Sequence, residues 1–287
     1  KGTREDAKFA LECAQKAQKE WALLPAQKRA EYVKALAEEL QKNKEYLANM
    51  LTKEQGKPIR EVRAEVDGAA LFLSYAAEWA RRIEGDILTS EMQYEQIWIQ
   101  RVPYGVTVGI IAWNFPLALA ARKLGNALVC GNAMIIKPPS DTPITVLEMA
   151  KLAEKVGFPK GILSVITGAG RDVGDELVRN SITKLVTLTG STKAGQEVCK
   201  AAAENITVLR LELGGKAPFI VMDDADIDKA VECAVISRFT NCGQICTCNE
   251  RMYIHEKIYD EFMDKFIERV KQLKVGNPLD DSTDIGP

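Results

Sequence analysis

Two short stretches of this 287-residue chain hold residues able to do chemistry together. The first is Phe239-Thr240-Asn241-Cys242-Gly243-Gln244-Ile245-Cys246-Thr247-Cys248, in which Cys246 sits in a small, polar, glycine-marked loop. The second is Leu211-Glu212-Leu213-Gly214-Gly215-Lys216, a glutamate at the end of an apolar run followed almost at once by two glycines. A thiolate is a nucleophile and a carboxylate can activate water, so the pair predicts covalent catalysis through sulfur. Partial burial of Glu212 would raise its pKa toward neutrality and suit it to act as base; a structural ion pair is the alternative. The single histidine, His255, ends the strand-like Arg251-Met252-Tyr253-Ile254-His255 with no catalytic signature around it. It reads as a surface or structural residue rather than part of a Ser-His-Asp or Cys-His device. Cys242, Cys246 and Cys248 lack the paired C-x-x-C spacing and nearby histidines of a metal centre, so no metal site is expected.

Further candidates lie at the ends of expected strands. Trp113-Asn114-Phe115-Pro116 follows a buried strand over 104–112, and Asn114 offers an amide suited to an oxyanion or, alternatively, to an ordinary turn. Lys137 ends another strand, at the carboxyl edge where open α/β folds bind ligands, unless it is simply solvated. Gly168-Ala169-Gly170-Arg171-Asp172-Val173-Gly174 and Thr189-Gly190-Ser191-Thr192-Lys193-Ala194-Gly195 are glycine-rich strand-to-helix junctions. Glycine there lets backbone amides approach a phosphate at a helix N-terminus. Neither junction has the G-x-G-x-x-G spacing, but two on consecutive strands point to a cofactor.

The elements that must position these residues follow from periodicity. Residues 3 to about 85 read as helices, with Ala7, Ala10, Leu11, Ala14, Ala17 and Trp21 at helical spacing and Pro25 opening the next element. The third run ends at Gly56-Lys57-Pro58 and the fourth stops at Gly85. From Gln96 onward short apolar strands alternate with helices, which predicts an α/β fold with a doubly wound parallel sheet. The expected organisation is a Rossmann-like cofactor domain over 1–213, including the helical N-terminal region and a strand arm at about 92–103. The start of a second α/β catalytic domain follows over 214–287.

Composition narrows the classes. With 46% hydrophobic and 27% charged residues the chain is of the ordinary globular type. A net charge of −2 without a basic stripe makes nucleic acid an unexpected partner. No apolar run reaches the length of a membrane span, and the charged N-terminus leads into a helix, so neither a membrane segment nor a signal peptide is expected. Seven scattered cysteines suggest reduced thiols and a cytoplasmic location.

Taken together, the segments Ala112 to Pro116, Ile136-Lys137-Pro138, Leu188-Thr189-Gly190-Ser191, Leu211 to Pro218 and Asn241 to Cys246 resemble the aldehyde dehydrogenase superfamily, in order and spacing. Ala77 to Arg82 and Cys246 to Arg251 are similar to its lactaldehyde/glycolaldehyde branch. The resemblance implies oxidation of a small aliphatic, hydroxylated aldehyde to the acid. Cys246 would attack the carbonyl, with Asn114 and the Cys246 amide on the oxyanion, and Glu212 would activate the hydrolytic water. Lys123 would belong to a proton relay. Trp113, Lys137, Ser140, Gly168, Gly170, Gly174, Thr189, Gly190, Ser191 and Leu213 would form the cofactor site. Ser140 stands where the family commonly has a glutamate on the adenosine ribose, so NADP as well as NAD is expected. Glu212 argues against a CoA-acylating relative. The other readings are a non-catalytic protein keeping the fold, and another specificity such as succinate semialdehyde. The resemblance also implies a piece truncated at both ends of a homodimeric or homotetrameric enzyme.

Overall fold

A computed structural model describes all 287 residues. Four helices come first: α1 (Arg4–Leu23), α2 (Ala26–Lys42), α3 (Lys44–Gln55) and α4 (Ile59–Glu78). Their boundaries follow local chemistry. Thr3 and Asp6 form a reciprocal capping box that satisfies free amides at the start of α1. Gly56 closes α3 in the left-handed region at φ 88°, where a side chain would be strained, and Pro58 precedes α4. The apolar stripes face inward: Leu11, Trp21, Val33, Leu36, Leu40, Leu47 and Leu73 are fully or almost fully buried. The Trp21 indole N–H donates to the Leu128 carbonyl at 2.9 Å, tying α1 to the end of the helix over residues 116–129.

A hairpin of β1 (Asp86–Thr89) and β2 (Gln96–Ile99) projects next, antiparallel and exposed along its length. The main sheet then builds through β3 (Val106–Ile110), α5 (Pro116–Val129), β4 (Ala133–Lys137), α6 (Ile144–Lys155), β5 (Leu163–Val165), α7 (Asp175–Arg179), β6 (Thr183–Gly190), α8 (Thr192–Ala202) and β7 (Val208–Leu213). Its five strands are all parallel, in the order β5-β4-β3-β6-β7. The expected α/β parallel fold is therefore the observed one. β4 is buried along its whole length, as a central parallel strand covered on both faces must be. α5 lies outside the helices expected from sequence, although Pro116 at its first turn and buried Leu117, Ala120, Ala121, Leu124 and Leu128 mark it.

The chain lays down β3, β4 and β5 to one side, then returns to place β6 and β7 on the other. The reversal opens a crevice at the carboxyl ends of β3 and β6, the place where open sheets of this kind hold ligands. Beyond Leu213, β8 (Ala217–Val221), α9 (Ile227–Phe239), β9 (Asn249–Ile254) and α10 (Tyr259–Lys271) form a separate two-stranded parallel sheet with its helices. Its buried centre is four residues, Val221, Val231, Ala234 and Phe262, against 44 in the main core. No helix is long and apolar enough to cross a membrane.

Candidate active site

An open cleft of about 1900 Å³ occupies the crevice. Four elements bring side chains to it. The turn after β3 supplies Trp113 and Asn114, α5 supplies Lys123, the end of β7 supplies Glu212, and the loop after α9 supplies Cys246. Thr189, Gly190, Ser191 and Leu213 line the same space from the ends of β6 and β7. His255 does not line it; its Nδ1 accepts the Lys257 N–H at 3.3 Å.

The three cysteines of the loop are sorted by their surroundings. Cys248 is buried and its thiol points to the Arg238 carbonyl. Cys242 is half-buried toward the Gly286 carbonyl, and burial pushes its thiol pKa up, away from the reactive thiolate. Cys246 is exposed and is the one of the three that lines the cleft. The strand-to-strand link after Glu212 runs beside it: a Cβ on Gly215 would stand 3.5 Å from the Cys246 carbonyl oxygen.

Glu212 pairs with Thr189 across β6 and β7 and is exposed at the cleft. The partial burial expected from sequence is absent: no element packs over the carboxylate, and Glu212 is exposed. Lys123 is the more buried group. Its stem crosses Gly109 of β3, where a Cβ would meet the Lys123 Cδ at 3.4 Å, and its Nζ donates to Thr187 Oγ1 at 2.8 Å. Burial, then repulsion from Arg122, lowers its pKa to about 8, while attraction to Glu212 opposes the fall.

Asn114 is held on both sides. Its side-chain Nδ2 donates to the Gln244 carbonyl at 2.9 Å, inside the cysteine loop. An amide NH2 carries two hydrogens, so one remains for another acceptor. Its backbone carbonyl accepts from Gln55 Nε2 at 2.9 Å, Lys57 Nζ at 2.8 Å and Asn241 Nδ2 at 2.9 Å. Lys57 is ion-paired to Glu65 with both side chains fully buried, and removing either partner alone would strand a buried charge at a cost of about 3–5 kcal/mol. Sequence reasoning missed Gln55, Lys57, Glu65 and Asn241 as site-shaping residues. The available signal was Glu65, a carboxylate in the same stripe as buried Val62, Val66 and Ala69.

The remaining sequence candidates gather beside the cleft, at the ends of β4 and β5. Lys137, the last residue of β4, is buried, and its ammonium donates only to the Pro138 carbonyl at 3.2 Å. Burial without a carboxylate partner lowers its pKa. Gly174 admits its stem: a Cβ there would lie 3.6 Å from Lys137 Cδ and Cε. Gly168 and Gly170 frame the same turn, and a Cβ on Gly168 would clash with the Val173 side chain. Ser140 is exposed three residues past Lys137. Ser191 caps α8, accepting the Ala194 N–H at 3.2 Å, and so stands where that helix turns its free amides to the cleft. An unpartnered buried cation, a helix N-terminus and glycine clearings suit a ligand rich in hydroxyls and phosphates, as a nicotinamide dinucleotide is.

Comparison with known proteins shows the family. The sequence model of the aldehyde dehydrogenase family matches residues 1–287. The chain belongs to the aldehyde dehydrogenase family. It is 52% identical to the 3,6-anhydro-alpha-L-galactose dehydrogenase of Vibrio sp. strain EJY3 over 286 residues, covering 100% of this chain and 60% of that protein. It is 41% identical to the lactaldehyde dehydrogenase of Escherichia coli K12, covering 97% of this chain and 58% of that protein. A solved 3,6-anhydro-L-galactose dehydrogenase in complex with NADP superposes with a TM-score of 0.97 at 51% identity, over 100% of this chain and 60% of that one. The chain thus spans about 60% of the length of these dehydrogenases.

Proposed function

We propose that the protein oxidises a small hydroxylated aldehyde to its carboxylic acid through Cys246. The observation that carries this reading is the sorting of the loop thiols: Cys246 alone of the three opens to the cleft that Asn114, Lys123 and Glu212 also line. In the reading, the Cys246 thiolate attacks the aldehyde carbon. The oxyanion takes the second hydrogen of the Asn114 amide and the Cys246 backbone N–H, which has no partner within the chain. A bound NADP or NAD supplies the hydride acceptor. The resulting thioester on Cys246 is opened by a water whose proton Glu212 takes. Lys123, bonded to Thr187 and close enough to Glu212 for their charges to interact, moves the proton onward.

For the cofactor, Lys137 and Ser140 would hold the adenosine ribose, Gly168, Gly170 and Gly174 would clear its approach, Ser191 with Thr189 and Gly190 would take the pyrophosphate, and Trp113 and Leu213 would wall the nicotinamide end. Ser140 carries no charge to repel a 2′-phosphate, which favours NADP. Residues 1–213 act as the cofactor domain and 214–287 as the start of the catalytic domain. The exposed hairpin of β1 and β2 pairs with another subunit in a homodimer or homotetramer. Seven free thiols favour a cytoplasmic setting. The hydroxylated substrate is supported by relatives named for anhydrogalactose, glyceraldehyde and lactaldehyde.

The test is formation of NADPH and NADH by the intact protein from glyceraldehyde, lactaldehyde, 3,6-anhydro-L-galactose and succinate semialdehyde, beside Cys246→Ala. Turnover of the hydroxylated aldehydes is expected, faster with NADP, and lowered at least ~10³-fold in Cys246→Ala. Turnover indifferent to Cys246 would overturn the mechanism.

A further inference from the structure

The N-terminal helices carry polar side chains that no step above uses, and they converge on one turn. Lys57 sits in the link between α3 and α4, Glu65 on α4, and both side chains are fully buried. Besides its partner, Lys57 Nζ touches two things: the Asn114 carbonyl at 2.8 Å and the face of the Phe115 ring, 3.7 Å from its centroid. Glu65 Oε1 accepts the Leu117 and Ala118 N–H groups at 3.0 and 3.2 Å, free donors of the first turn of α5. The pair therefore grips both ends of residues 114–118. One turn before Glu65, Glu61 accepts the Asn241 N–H at 2.6 Å. Asn241 and Cys242 are held there at φ 52° and 55°, in the left-handed region.

A buried ion pair is weak evidence for stability, since apolar side chains of the same volume pack as well or better. Its geometry is the informative part. Its side-chain hydrogen bonds to the rest of the chain all fall on the segment that presents Asn114 and begins the helix of Lys123. With three donors on its carbonyl, the Asn114 peptide plane is fixed, and its side chain leaves the backbone aimed at the Gln244 carbonyl. We propose that the Lys57–Glu65 pair is a positioning device that orients the Asn114 amide against the Cys246 loop. As a statement about catalysis, this rests on the proposed oxidation through Cys246.

The test uses Lys57→Met/Glu65→Gln, which strands no charge and keeps acceptors for Leu117 and Ala118, and Gln55→Met, which removes one donor to the Asn114 carbonyl. Kinetics are read together with thermal unfolding and hydrogen exchange over 114–118 and 241–246 on the intact protein. In the double variant kcat is expected to fall ~10- to 100-fold, the range for misplacement by about 1 Å, with KM for NADP unchanged and exchange of both segments faster. A folded double variant with unchanged kcat overturns the proposal. If the double variant does not fold, Gln55→Met decides: a lowered kcat at constant KM for NADP supports the device, an unchanged kcat overturns it. If the unaltered protein oxidises no aldehyde, the functional reading fails on its own, and unchanged exchange over 114–118 and 241–246 in the variants then overturns the positioning.

Discussion

Burial brings the Lys123 ammonium to a pKa of about 8 from 10.5, and the direction sets two outcomes. Between these values the unfolded chain holds a proton that the folded protein has released, so the Lys123 contribution to stability improves as pH rises through that window. Below it the charged form is desolvated at full cost. Lys123→Met is therefore expected to raise the unfolding midpoint at pH 7, with the advantage shrinking between pH 8 and 10.5. The same variant should remove any limb near pH 8 from the profile of thioester hydrolysis. A constant difference in midpoint across pH would contradict the assignment. At this scale the sequence was legible in part. The side-chain types at Cys246, Glu212 and Asn114, the loop around the first and the strand ends that carry the other two could be read from local pattern. The exposure of Glu212 and the depth of Lys123 could not, because they depend on which distant elements cover them.

Among the elements, the contact of α4 with α5 decides where Lys123 sits. Gly125 makes that contact close: a Cβ there would stand 2.7 Å from the Ala76 Cβ and 3.4 Å from Leu73 Cδ2. Alanine gains about 1 kcal/mol of helix propensity over glycine, and overpacking costs about 1–3 kcal/mol. The clashing atoms are both Cβ carbons, neither of which can swing aside, so the clash wins. Gly125→Ala is expected to destabilise the protein by up to about 2 kcal/mol in urea unfolding and to lower kcat with it. The same glycine helps explain why α5 escapes a sequence reading. Ala118, Ala120, Ala121 and Gly125 mark a helical period weakly, whereas the Val and Ile runs of β3 and β4 mark strands strongly. β1 escapes for another reason: Asp86-Ile87-Leu88-Thr89 is four residues long and opens on an aspartate, whereas its partner Gln96-Ile97-Trp98-Ile99 is richer in β-formers.

Across the whole molecule, the hairpin is the surface least explained by the chain alone. Ile87 is 75% exposed and Trp98 63%, on strands with no core of their own. An apolar ribbon of this kind is the mark of an interaction surface. Ile87→Lys with Trp98→Glu is expected to lower the mass of the intact protein in analytical ultracentrifugation; an unchanged assembly would remove the hairpin from the interface. The fold class and the order of the site segments were readable from sequence because each strand and glycine turn is local. The joining of the first helices to the cysteine loop was not, because its partners are far apart in the chain. That distance has a consequence for biosynthesis. Gln55 meets Asn241 across 186 residues, and at ~5–20 residues per second the ribosome needs on the order of ten to forty seconds to deliver the second partner after the first. Helices α1 to α4 and the main sheet are all synthesised before the Asn241–Cys246 loop. When that loop emerges, it docks onto partners made much earlier in the chain, Gln55 and Glu61 among them.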